Sequence, residues 1–120
     1  MKQYLPQQFD VKLRVFKEEP DFGKGVTQLL ALIEQKGSLS AAYNEMGMAA
    51  SKAWKILNRA EHDLGVRLVE RKAGGKKGGY STLTPEGKDM MERYMAFQKE
   101  VEKAAQEAFH KYFREDRIEI

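Results

Sequence analysis

The sequence predicts a mainly α fold with a small β-sheet. Three observations predict it. Between residues 24 and 65, three blocks with helical apolar spacing or capping residues are each closed by a glycine. Two β-like runs, "VRLVERK" and "YSTLT", flank the glycine–lysine stretch "GGKKGG". A long apolar stripe then follows Thr84 and Pro85. Three helices, a hairpin and a further helix make a winged helix-turn-helix followed by a long C-terminal dimerisation helix.

The elements follow in order. "FDVKLRVFKEE" places Phe9, Val11, Leu13 and Val15 at alternate positions, which predicts an N-terminal strand over 9–19. It is expected to pair with the wing strands and cover an exposed edge. Pro20 and two glycines break the run. In "VTQLLALIEQK", Val26, Leu29, Leu30 and Ile33 form one apolar face, and Gly37 ends the helix. Ser38 and Ser40 are both suited to capping the next helix, which stops at Gly47. Ser51 is expected to start the third helix, "SKAWKILNRAEHDL", which ends at Gly65. These three helices span 24–65. The wing hairpin spans 67–84, and the last helix 85–115. Thr84 caps that helix, with Pro85 at its first position. The whole chain, 1–120, reads as a single winged-helix domain.

Composition narrows the function. Cysteine is absent, which excludes disulfides and thiolate metal sites and suits a reducing cytoplasm. No apolar run has the length of a membrane span, and no export leader is expected. Net charge is only +3, but it is unevenly placed. Residues 51–88 carry nine basic and four acidic side chains, against six and six in 1–50 and six and eight in 89–120. A local positive field of this kind is the footprint of a polyanion partner; a solvated charged surface is the plainer alternative.

The third helix carries the sharpest signal. Ala53, Leu57, Ala60 and Leu64 are spaced for burial. Lys52, Lys55, Arg59 and His62 share another face, flanked by Ser51 and Asn58. Such a cationic, donor-rich face fits the major groove of duplex DNA, where lysine and arginine meet phosphate or guanine and asparagine meets adenine. Trp54 admits two readings, a core anchor or a contact to a thymine methyl or sugar; partial burial is favoured. In the wing, glycines permit close backbone approach. Gly75, Lys76, Lys77 and Gly78 form a tip suited to phosphate contact, with Arg71 and Lys72 at its base. The stretch lacks the phosphate-binding-loop pattern of nucleotide-hydrolysing proteins.

Along the last helix, Met90, Tyr94, Phe97, Val101, Ala104 and Ala108 alternate at spacings of four and three, a heptad seam for dimerisation. Met91, Met95, Ala105, Phe109 and Tyr112 widen it. His62 and His110 lack metal-ligand spacing, so no metal or other cofactor is expected.

"FGKG", "GSLSAA", "MGM", "AW", "LVERKAGGKKGG" and "LTPEG" occur in the order found in the N-terminal DNA-binding domain of the ModE family of molybdate-responsive regulators. "LGVRLVER" also resembles LysR-type regulators. The resemblance covers about Phe22 to Tyr94. It implies a winged helix that dimerises through the N-terminal strand region and long helices. It also implies operator contact by Ser51, Lys52, Lys55 and the Gly74–Gly79 wing. ModE-family regulators hold molybdate in separate C-terminal domains, so a stand-alone module without an oxyanion pocket is expected here. "HDLGVRL" is closer to the LysR pattern.

The reading is a sequence-specific double-stranded DNA-binding transcriptional regulator. It is expected to act as a cytoplasmic homodimer away from membranes, with no small-molecule effector legible. A winged-helix protein-interaction module is the alternative. No nucleophile–base pair, carboxylate dyad or metal constellation points to an enzyme.

Overall fold

The computed structural model describes residues 3–72 and 79–114. Its elements are α1 (Lys24–Lys36), α2 (Leu39–Glu45), α3 (Ala50–Leu64), β1 (Val69–Lys72), β2 (Tyr80–Leu83) and α4 (Pro85–Phe113). This is a winged helix-turn-helix with a long closing helix. The strands pair antiparallel, with Val69 opposite Leu83 and Lys72 opposite Tyr80.

The core forms where the apolar spacing places it. Val26, Leu29, Leu30 and Ile33 of α1 are buried, as are Ala53, Leu57 and Ala60 of α3. Leu64 is half-buried, and Ile56 packs beside the same cluster. Phe22, Leu68, Val69, Met91 and Tyr94 complete the centre. Gly37 takes the left-handed conformation (φ 81°) that releases the chain from α1. Its carbonyl then accepts the Ser81 N–H at 2.9 Å, tying the α1–α2 turn to β2. Ser38 caps α2 by accepting the Ala41 N–H at 3.0 Å; Ser40 lies within the helix.

Two start points differ from expectation. Ser51 does not cap α3. The Ala49 carbonyl accepts the Ala53 N–H at 3.1 Å, so the helix begins at Ala50 and Ser51 lies inside its first turn. Residues 9–19 do not form a strand. A single bridge joins Val15 to Phe22, and among the described residues the sheet holds only β1 and β2. Side-chain and capping contacts hold this arm instead of a ladder. The Tyr94 hydroxyl donates to the Leu13 carbonyl at 2.8 Å. Burial, with Glu102 adding, pushes the Tyr94 phenol's pKa up. At the arm's other end, the Asp63 carboxylate accepts the backbone N–H groups of Lys17, Glu18 and Glu19 at 2.8–2.9 Å.

Helix α4 has 29 residues, so it is about 43 Å long, more than the core can cover. Its first turns enter the core through Gly87, Met91 and Tyr94. Its far part is partly covered by the arm, where the Phe9 and Phe109 rings lie 5.0 Å apart. The expected seam is therefore divided. Tyr94 is buried in the chain's own core, and Met90 packs against that core. Phe97, Ala104 and Ala108 remain exposed, and Val101 is half-buried.

The junction of wing and α4 is tight. Thr84 caps α4 by accepting the Gly87 N–H at 2.9 Å and donates its hydroxyl to the Arg67 carbonyl at 2.6 Å. A Cβ on Gly87 would overlap the Leu68 carbonyl oxygen. Replacing Gly87 with alanine should therefore cost about 3 kcal/mol or more, read as a lower denaturant midpoint.

Asp63 makes stability depend on acid. The hydrogen bonds from Lys17 and Glu19, with smaller help from Glu18 and the Lys17 charge, hold its pKa below the usual 3.8. A folded-state pKa below the unfolded one contributes stability above the unfolded value, and that stability fades as pH falls through the folded value. Wild-type chain should lose more denaturant resistance below about pH 4 than Asp63→Asn, compared by titrating both from neutral pH.

Candidate nucleic-acid interface

Helix α3 separates its two kinds of residue cleanly. With Ala53, Leu57 and Ala60 turned inward, Ser51, Lys52, Lys55, Asn58, Arg59 and His62 are all exposed. Lys52, Lys55 and Arg59 have no ion-pair partner among the described residues. They form an uncompensated row of positive charge along one helix. An acidic border lies beside its far end, where Glu19, Asp21 and Asp63 share a recess with Asn58, Arg59 and His62.

The wing is laid along this helix by Glu61 and Trp54. The Glu61 carboxylate accepts the N–H groups of Leu68 at 2.8 Å and Val69 at 3.2 Å, gripping the entry to β1. At the strand's other end, the Arg71 guanidinium carbon sits 4.1 Å from the centre of the Trp54 ring. Trp54 and Glu61 are seven residues apart, about 10.5 Å of helix. Leu68 and Arg71 are three apart, about 10 Å of strand. The two lengths match, so β1 runs back along α3 toward its first turns. That brings Lys72, exposed and unpaired among the described residues, to the same end as Ser51, Lys52 and Lys55. There Lys72 lines a shallow recess with Ser38, Ser40, Trp54 and Tyr80.

Arg71 occupies a different place from Lys72. Only 24% of its side chain is exposed, and Nη2 lies 4.0 Å from Glu61 Oε1. Burial lowers its pKa, Glu61 opposes that shift and Arg67 adds to it. The two readings of Trp54 resolve into a half-exposed ring, 39% accessible, under a guanidinium. Gly75, Lys76, Lys77 and Gly78 lie outside the described residues.

The family description for bacterial regulatory helix-turn-helix proteins of the lysR family matches residues 27–88, from α1 through the wing to the start of α4. The chain belongs to this family. The family is one of DNA-binding regulator domains, which is not an enzyme class.

Among its relatives, this lysR-family chain is 35% identical over 92 residues to the molybdenum-pterin-binding protein MopB of Rhodobacter capsulatus. That match covers 77% of this chain and 34% of MopB. It is 31% identical over 77 residues to the molybdenum transport protein ModE of Azotobacter vinelandii, covering 64% and 28%. A ModE of Herbaspirillum seropedicae is 35% identical over 63 residues, covering 52% and 23%. The chain thus spans about a third or less of the relatives it matches. These similarities bear out a ModE-like helix-turn-helix domain within the lysR family. No helix among the described residues is long and apolar enough to cross a membrane.

Sequence reasoning missed Glu61 and Asp63. Both act on backbone N–H groups, which carry no side-chain signature. In Glu61→Ala, the Leu68 and Val69 amides lose their acceptor. Their hydrogen exchange should accelerate at least tenfold while the α1 core amides change much less.

Proposed function

We propose that this chain is a homodimeric, sequence-specific binder of double-stranded DNA that regulates transcription in the cytoplasm. The observation that carries the reading is the exposed row Lys52, Lys55 and Arg59, unpaired among the described residues, with Ser51 and Asn58 beside it and Lys72 near its start. Lys52, Ser51 and Asn58 meet base edges in the major groove; Lys55, Arg59 and Lys72 meet phosphate. Lys76 and Lys77 add phosphate contacts from the wing tip.

The exposed part of α4 supports self-association. Phe97, Ala104 and Ala108 share one side of the helix with half-buried Val101. An apolar row beyond the reach of the chain's own core is suited to a second copy. Two α3 helices related by a two-fold axis then enter successive major grooves about 34 Å apart.

Selection from a random duplex pool, with sedimentation of the same protein, tests the proposal. A two-fold related motif should be enriched. If about six phosphates are neutralised, affinity for it should fall with a log–log salt slope of roughly −5. Lys52→Ala should relax preference at one base position, whereas Lys76→Ala should weaken all sequences alike. Equal retention of random and enriched duplexes, or a monomer in sedimentation, counts against it. Absence of any enriched motif, with another protein co-purifying at fixed ratio, favours an interaction module.

A further inference from the structure

We infer that Arg71 is a positioning residue, which holds the wing in line with α3 by stacking on Trp54 and facing Glu61, and that it makes no phosphate contact. The inference rests on the DNA-binding reading and divides the two cations at the wing base into different roles. Lys72 and Arg71 are neighbours in sequence, but strand alternation sends them to opposite faces. Lys72 is exposed and unpaired among the described residues. Arg71 has its guanidinium carbon 4.1 Å over the centre of the Trp54 ring and Nη2 toward a carboxylate that is itself only 10% exposed. Its Nε and Nη2 atoms are buried and have no hydrogen-bond partner among the described residues. To grip a phosphate with two N–H groups, Arg71 would have to leave the indole and bring Nη2 away from Glu61. Both losses would oppose the new contact.

Arg71 also joins the far end of β1 to the first half of α3 through the Trp54 ring. The Glu61 hydrogen bonds fix the strand's entry. Pairing with β2, whose Ser81 N–H is held by the Gly37 carbonyl, keeps that end folded; the stack sets how it sits against α3, so without it Lys72 shifts from its placement beside Lys52 and Lys55. Binding then weakens because the contacts are misplaced, while the number of neutralised phosphates stays the same.

Trp54 is the chain's single tryptophan, so its fluorescence reports the stack directly. The test compares wild type, Arg71→Met, Arg71→Lys and Lys72→Ala by acrylamide quenching without DNA, then by duplex affinity across a salt series. In Arg71→Met, quenching of Trp54 should rise. Affinity should fall about tenfold, the scale of a partly desolvated cation–π contact, with the wild-type salt slope retained. Arg71→Lys should not restore affinity, because an ammonium lacks the planar face. Lys72→Ala should make the slope shallower by about 0.9.

A slope made shallower by about 0.9 in Arg71→Met, or recovery in Arg71→Lys, would show a phosphate contact and overturn the inference. Unchanged Trp54 quenching would overturn it as well. Should Arg71→Met unfold, Trp54→Leu removes the ring and must give the same loss at unchanged slope. If wild type retains no duplex at all, the DNA-binding reading fails and this role goes with it. That result is distinct from a wild type that binds while its Arg71 variants alter the slope.

Discussion

The peptide at Leu68 is held from two sides, and the arrangement of wing, third helix and last helix depends on it. Its N–H is taken by the Glu61 carboxylate at 2.8 Å, and its carbonyl accepts the Thr84 N–H at 3.0 Å. Its side chain is fully buried, and Gly87 leaves no atom where the carbonyl must sit. Three elements therefore meet at one backbone unit. Neither N–H nor carbonyl there can swing out without exposing a buried polar group. The wing is thus anchored at its root by fixed hydrogen bonds. The direction of the wing is then a property of α3 and α4 together.

A second constraint acts at the same end of α3, two residues farther on. Asp63 holds the backbone of Lys17, Glu18 and Glu19, and Tyr94 holds that of Leu13. The arm is thereby attached to the basic helix at one point and to α4 at another. Two charged groups near the C-terminal end of α3 hold backbone amides: Asp63 with both oxygens and Glu61 with one, its other oxygen facing Arg71. The positive side chains Lys52, Lys55 and Arg59 keep their N–H donors unspent among the described residues. This division leaves a cationic face free on a helix whose acids are committed to structure.

The last helix shows how one apolar stripe serves two purposes. Its beginning, from Gly87 to Tyr94, is part of the core. Farther along, Phe9 of the arm covers Phe109, while Phe97, Ala104 and Ala108 stay open on an adjacent side. Heptad spacing marks apolar residues without saying whether the chain itself or a second copy covers them. Tyr94 fits the heptad and is nonetheless an internal residue, because its ring lies 5.7 Å from Phe22 and its hydroxyl reaches the arm.

Much of this was legible from residue order alone. The α1 face, the Ser38 and Thr84 caps, the glycine stops and the hairpin all follow from local rules that involve only nearby residues. The exposed row on α3 was legible for the same reason, since helical spacing decides which residues share a side. Tertiary structure decided the rest. Alternation over 9–19 suits a strand, but a ladder needs a neighbour with free edge groups in register, and the arm meets side chains of α3 and α4 instead. Arg71 and Lys72 look alike in sequence. Trp54, Glu61 and Leu68 separate them by giving one cation a ring and a carboxylate to rest on and leaving the other to solvent, a distinction set by partners distant along the chain.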